Sequence, residues 1–185
     1  MIVYLHGFNS SPESHKAKLL ARYLAERGLA GQYACPALPP LASEALARIE
    51  PLLSAGCCLV GSSLGGFYAT WLAEKHDLKA VLINPAIEPH VGLQSYLGPQ
   101  QNLYTGERYE LTPRHLREWQ GLHVPRVSAR RYLLLVETGD EVLDYRHAVA
   151  RYAGCEQVVI EGGDHSLQSF PQHLPRVLRF AGLAG

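Results

Sequence analysis

The pentapeptide "GSSLG", Gly61 to Gly65, sets two adjacent serines between glycines directly behind the apolar run "CCLV". Only Ser63 fits the frame G-x-S-x-G, because the residue two before Ser62 is Val60. A nucleophile on a sharp strand-to-helix turn needs almost no bulk two residues away on each side, and glycine supplies that. The turn exposes the hydroxyl, and the helix behind it points its positive N-terminal end at the reacting centre. A serine hydroxyl stays a weak nucleophile until an imidazole takes its proton, and the imidazole needs a carboxylate to fix its tautomer. Two later loops offer these partners. In "TGDEVLD" the first carboxylate is Asp140, and in "GGDHS" His165 follows two glycines that let its loop reach inward. The chain order Ser63, Asp140, His165 is the one associated with a G-x-S-x-G elbow. Glu141 and Asp144 are alternative acids, and Asp140 has a competing role as a helix cap. Asp164 adjoins His165, but neighbouring side chains rarely meet in the needed geometry.

An acyl-transfer site also needs donors for a developing oxyanion. The loop "HGFNSS" behind the first strand offers the Phe8 N–H, and the Leu64 N–H lies just past the serine; each such donor is worth about 10² to 10³ in rate. His6 reads as a loop-fixing residue rather than a base. H-E-x-x-H and clustered carboxylates are absent, and G-x-G-x-x-G does not follow the first strand, so neither a metal nor a dinucleotide cofactor is expected.

These groups are far apart in sequence, so the elements between them must gather them. Short apolar runs alternate with helical patterns: "IVYL" (2–5), "QYAC" (32–35), "CCLV" (57–60), "AVLIN" (80–84), "YLLLVE" (132–137) and "QVVIE" (157–161) read as strands. Helices are predicted after Ser11 and Pro12 up to Gly28, over 42–53 with Pro51 disturbing the last turn, over 64–76, at 113–119 behind Thr112, near 144–153, and at the C-terminal end. From about Pro85 to Pro125 the alternation stops and no clear strand is predicted. Repeated strand-then-helix with buried strands implies a parallel sheet covered on both faces, with ligands outside the carboxyl ends of the strands. The chemistry-bearing residues all stand there.

Composition agrees with a single domain over 1–185. Of 185 residues 47% are hydrophobic, and 17 Lys+Arg balance 17 Asp+Glu, which argues against nucleic acid or an anionic membrane as partner. No apolar run nears the ~18 residues of a membrane span, and "MIVYLHGF" lacks the basic start of a signal peptide, so a cytoplasmic protein is expected. Cys35, Cys57, Cys58 and Cys155 have no metal-like spacing; Cys57 and Cys58 should point to opposite faces of their strand.

Taken together, "IVYLHGFNSSPESHKA", "LVGSSLGGFYATWLAE", "AVLINPAIEPH", "YTGERYELTPRHL", "TGDEVLDYR" and "EGGDHSL" resemble the α/β-hydrolase superfamily, and within it the YqiA/YcfP-like esterase family. The resemblance runs over nearly the whole chain. It implies Ser63 as nucleophile, His165 as general base and acid, Asp140 as orienting acid, and Phe8 and Leu64 as backbone oxyanion donors. Because the strand carrying "HGF" starts at residue 2, the superfamily's preceding antiparallel hairpin has no room. A minimal six-stranded parallel sheet in the order 2-1-3-4-5-6 is therefore expected, with a small cap at about 86–128. The expected activity is hydrolysis of small or medium acyl esters. Acyl-CoA thioester hydrolysis, with Arg108, Arg114 and Arg117 meeting phosphates, and a non-catalytic binding protein are the alternatives. Tyr96, Tyr104, Tyr109 and Trp119 are candidates to line an acyl pocket.

Overall fold

The computed structural model describes residues 1–183. In chain order they form β1 (Ile2–Leu5), α1 (His15–Ala25), β2 (Tyr33–Ala34), α2 (Ala42–Ile49), β3 (Cys58–Ser62), α3 (Leu64–His76) and β4 (Lys79–Ile83). An inserted stretch then holds α4 (Pro89–Gly92), β5 (Gly98–Gln101), β6 (Arg108–Leu111) and α5 (Pro113–Gly121). The alternation closes with β7 (Tyr132–Glu137), α6 (Tyr145–Arg151), β8 (Glu156–Ile160) and α7 (Phe170–Phe180).

The main sheet runs β2-β1-β3-β4-β7-β8 with every pairing parallel, which is the expected order with β7 and β8 as its fifth and sixth strands. Successive strand residues point to opposite faces, and each face has its own core. Val3, Leu59, Leu82 and Leu134 face α2, α3 and Trp119 of α5. Tyr4, Val60, Val81 and Leu135 face α1 and α7. Cys57 and Cys58 divide between the two cores as their alternation requires. Burial on both faces is why these strands read as unbroken apolar runs. Truncating Leu59 or Leu134, both fully buried, to Ala should cost about 2–5 kcal/mol.

Helix α3 is apolar almost all round because it is wedged between sheet and insertion; its residues from Leu64 to Thr70 are all buried. Trp119 closes this side, and its Nε1–H donates to the Tyr68 hydroxyl at 2.7 Å.

Three expectations need correction. Helix α1 starts at His15, not behind Ser11, because the Ser11 hydroxyl accepts the Glu13 N–H and its carbonyl the Ser14 N–H, closing a separate turn first. Pro51 ends α2 at Ile49, and Glu50–Leu52 tighten into a 3₁₀ turn. The insertion does contain strands: β5 and β6 pair antiparallel in a hairpin whose Gly, Pro and Gln residues carry no apolar alternation. Among the described residues, no helix is long and apolar enough to cross a membrane.

Candidate active site

Ser63 stands at the abrupt junction of β3 and α3 with φ 54° and ψ −121°, a left-sided conformation that side chains rarely adopt. Such a residue costs about 1–3 kcal/mol and persists only where its surroundings over-determine it. Here the Ser63 N–H donates to the Ile83 carbonyl at 3.0 Å, and the Ser63 carbonyl accepts the N–H groups of Gly66 and Ala86 at 2.9 and 3.0 Å. The flanking glycines are required by contact. A Cβ on Gly61 would collide with the Gly65 carbonyl, and one on Gly65 would collide with the Leu5 carbonyl. That second approach presses the start of α3 against the end of β1 and brings the Phe8 loop beside the serine.

The imidazole of His165 bridges the other two predicted residues. Its Nε2 lies 3.1 Å from Ser63 Oγ and its Nδ1 2.8 Å from Asp140 Oδ2. The Asp140 side chain is 2% exposed and that of His165 is 23% exposed. The other Asp140 oxygen accepts the N–H groups of Val142 and Leu143 at 2.9 and 2.8 Å. Burial works to raise this carboxyl, but the His165 contact and the two N–H donors outweigh it and hold the group below its ordinary value. The neighbouring acids do other things. Glu141 accepts the His165 main-chain N–H, Asp144 caps α6 through the Arg146 N–H, and Asp164 accepts from Ser166 and Gln168.

Phe8 and Leu64 both border the cavity at Ser63, and among the described residues neither N–H donates to a protein carbonyl. His6 is buried and its Nε2 accepts the Leu38 N–H at 3.0 Å, which places the proton on Nδ1, facing the Gly7 carbonyl. Burial also pulls its pKa down, so it stays neutral and ties the Phe8 loop to the chain after β2.

Two residues unforeseen from the sequence hold the His165 loop. Asn84, at φ 39°, donates through Nδ2 to the carbonyls of Asp164 and His165 (3.1 Å each), and its Oδ1 accepts the Glu137 N–H. The buried Glu137 carboxylate accepts the Ser169 hydroxyl at 2.6 Å and the N–H groups of Ser169, Asp164 and Gln168. Burial pushes this carboxyl up, and these donors together outweigh it, leaving the group below its ordinary value. Asn84 directly follows β4 and Glu137 is the last residue of β7, so both stand as polar residues at the carboxyl ends of apolar strand runs, the one signal that points to them.

A cavity of about 290 Å³ opens at Ser63 and His165, walled by Ile87, Leu93, Tyr96 and Leu143. Of the four candidate aromatics, Tyr96 borders it, Tyr104 borders a neighbouring cavity and Tyr109, bonded to Asn9, borders a small cleft beside Phe8 and Leu64; Trp119 packs edge-on against Phe8. Arg108, Arg114 and Arg117 border neither, and Arg114 pairs with Glu118 at 3.0 Å. Among the described residues, no three His, Cys, Asp or Glu side chains gather into a metal-binding group.

The chain is 24% identical to the UPF0227 protein YcfP of Salmonella gallinarum over 189 residues, covering 99% of each. The alpha/beta hydrolase domain-containing protein 10 of mouse superposes with a TM-score of 0.70 at 16% identity, over 96% of this chain and 87% of that one. For the monoacylglycerol lipase of Paleococcus ferrophilus the TM-score is 0.68 at 16% identity, over 99% and 94%. These likenesses establish the α/β-hydrolase fold. The sequence profile of the Uncharacterised protein family (UPF0227) matches residues 1–182, and the chain belongs to that family.

Proposed function

We propose that this chain is a serine esterase that cleaves small or medium acyl esters through an acyl-enzyme. The observation that carries the reading is the continuous contact from Asp140 through His165 to Ser63, opening on an apolar cavity of about 290 Å³. Ser63 Oγ attacks the acyl carbon while its proton moves to His165 Nε2, and Asp140 holds Nδ1–H toward itself and stabilises the imidazolium. The carbonyl electron pair becomes an oxyanion facing the Phe8 and Leu64 N–H groups. Its collapse breaks the ester C–O bond, and the departing alkoxide takes the proton from His165 Nε2. Water then gives its proton to the same nitrogen, attacks the acyl-enzyme and releases the acid, returning the proton to Ser63.

A fluorophosphonate probe tests this directly. Wild type should be labelled and Ser63→Ala should not, with ester turnover falling by about 10⁶ in the variant. A folded wild type that takes no label would favour a binding protein on a hydrolase scaffold. A thioester would pass through the same acyl-enzyme, so matched ester and thioester substrates over an acyl-length series distinguish that reading. The ester reading is preferred because Arg108, Arg114 and Arg117 stand away from the cavities at Ser63.

A further inference from the structure

A second cavity meets the first at Ser63 and His165, and its chemistry is different. It measures about 300 Å³ and lies on the α1 side, where Ser14, Lys16, Ser62 and Tyr104 contribute to its wall. The start of α1 opens into it uncompensated. Ser14 occupies the N-cap position without a side-chain cap bond, and the first turn contains no acid. Among the described residues the buried Ser14 hydroxyl oxygen has no partner at all. A helix start with unused N–H groups favours an anion, and an unpartnered buried hydroxyl is a group awaiting one.

Lys16, in that first turn, donates one N–H to the Ser166 carbonyl at 2.8 Å, leaving two donors. Burial pulls its amine down to about 8, against the opposing charges of Asp164, Asp140 and Glu137, so at neutral pH it remains mainly protonated. None of those three carboxylates borders the cavity. Asp140 is engaged by His165, Val142 and Leu143; Glu137 by Ser169, Asp164 and Gln168; Asp164 by Ser166 and Gln168. Lys16 and the helix end therefore favour an anion on this side, where no carboxylate borders the cavity; Asn9, Ser10, His15, Ser62, Tyr104 and Ser166 also contribute to its wall.

We propose that this second cavity is the leaving-group site and selects esters whose alcohol carries a phosphate or a carboxylate. The inference rests on the serine-esterase reading: the acyl chain takes the apolar cavity, and the alcohol oxygen lies where His165 Nε2 can protonate it. The anionic group accepts hydrogen bonds from Lys16 Nζ, from the Ser14 hydroxyl and from the first N–H groups of α1.

The test compares kcat/KM for glycerol monobutyrate and the matched butyryl ester of glycerol 3-phosphate. Wild type should prefer the phosphorylated ester, chiefly through KM. Lys16→Gln should reduce that preference about tenfold, and Lys16→Arg should restore most of it. Equal kcat/KM for the two esters in wild type, or a preference untouched by Lys16→Gln, overturns the proposal. If Lys16→Gln does not fold, Ser14→Ala serves in its place, with an expected loss of preference of about threefold. If neither ester is cleaved and the fluorophosphonate labels nothing, the esterase reading has failed, and calorimetric titration with glycerol 3-phosphate decides the anion site alone. Binding that Lys16→Gln weakens about tenfold supports the site; absence of binding to wild type overturns it.

Discussion

The loop after β8 is held from within, by Asn84 and Glu137 buried at the carboxyl end of the sheet, whereas the loop after β1, beyond the His6 contact to Leu38, is held from outside, by the inserted hairpin. Asn9, at φ 51°, is the point of attachment on the second loop. Its Oδ1 accepts the Tyr109 hydroxyl at 2.7 Å, its Nδ2 donates to Gln100, and its carbonyl accepts the Leu103 N–H. Asn102 donates to the Ser10 carbonyl at 2.8 Å, and the Phe8 ring meets Tyr96 and Trp119 edge-on. The two anchors differ in kind. A buried carboxylate with four donors cannot lose one without leaving charge or donors stranded in a place water does not reach. The hairpin's bonds are neutral and partly exposed, and each is individually small. The histidine loop is thus part of the fold's stability, and the Phe8 loop is adjustable from the insertion.

The largest expected effect lies on the histidine side. Asp140→Asn should fold and lose about 10⁴ in kcat, read by steady-state turnover. Asp144→Asn should lose far less, since Asp144 caps α6 and does not touch the imidazole. If Asp144→Asn were the crippled variant, the contact seen at Asp140 would have no catalytic meaning.

Next comes the buried anchor itself. Glu137→Gln should cost about 3 kcal/mol, or roughly 6–12 °C in Tm, and lower activity with it. Its acid profile should also change. The Glu137 carboxyl is held below its ordinary 4.5, so its stabilising contribution is complete above that pH and is lost as the pH falls through the lowered folded-state value. Acid titration of stability should therefore be flatter for Glu137→Gln than for wild type over that window. Matching profiles would mean that the carboxylate contributes little to holding the loop.

The smallest effect should come from Tyr109→Phe, which removes one neutral hydrogen bond to Asn9. We expect kcat to fall about threefold to tenfold at nearly constant KM, with less than about 1.5 kcal/mol lost in stability. A variant that loses Tm as Glu137→Gln does, with kcat intact, would abolish the distinction between an inner structural anchor and an outer adjustable one.

Much of this was legible from local patterns. Apolar runs mark β7 at 132–137 and α3 at 64–76 to the residue, since a buried strand and a buried helix each impose their own period. The rule that ligands sit behind parallel strands picks out the loops of Ser63, Asp140 and His165. The β5–β6 hairpin was not legible, because Gly98–Gln101 pairs through its backbone and through attachment to Asn9 rather than through an apolar face. The sequence ranks Asp140 first, as the first carboxylate past its strand, but leaves Glu141 and Asp144 open, since all three are carboxylates in one polar loop. That choice, and the roles of Asn84 and Glu137, depend on partners 24 to 80 positions away in several cases. Periodicity and turn chemistry act between near neighbours and can be read along the chain. Which oxygen reaches a given imidazole depends on how the strands stack and twist, and only the folded arrangement decides it.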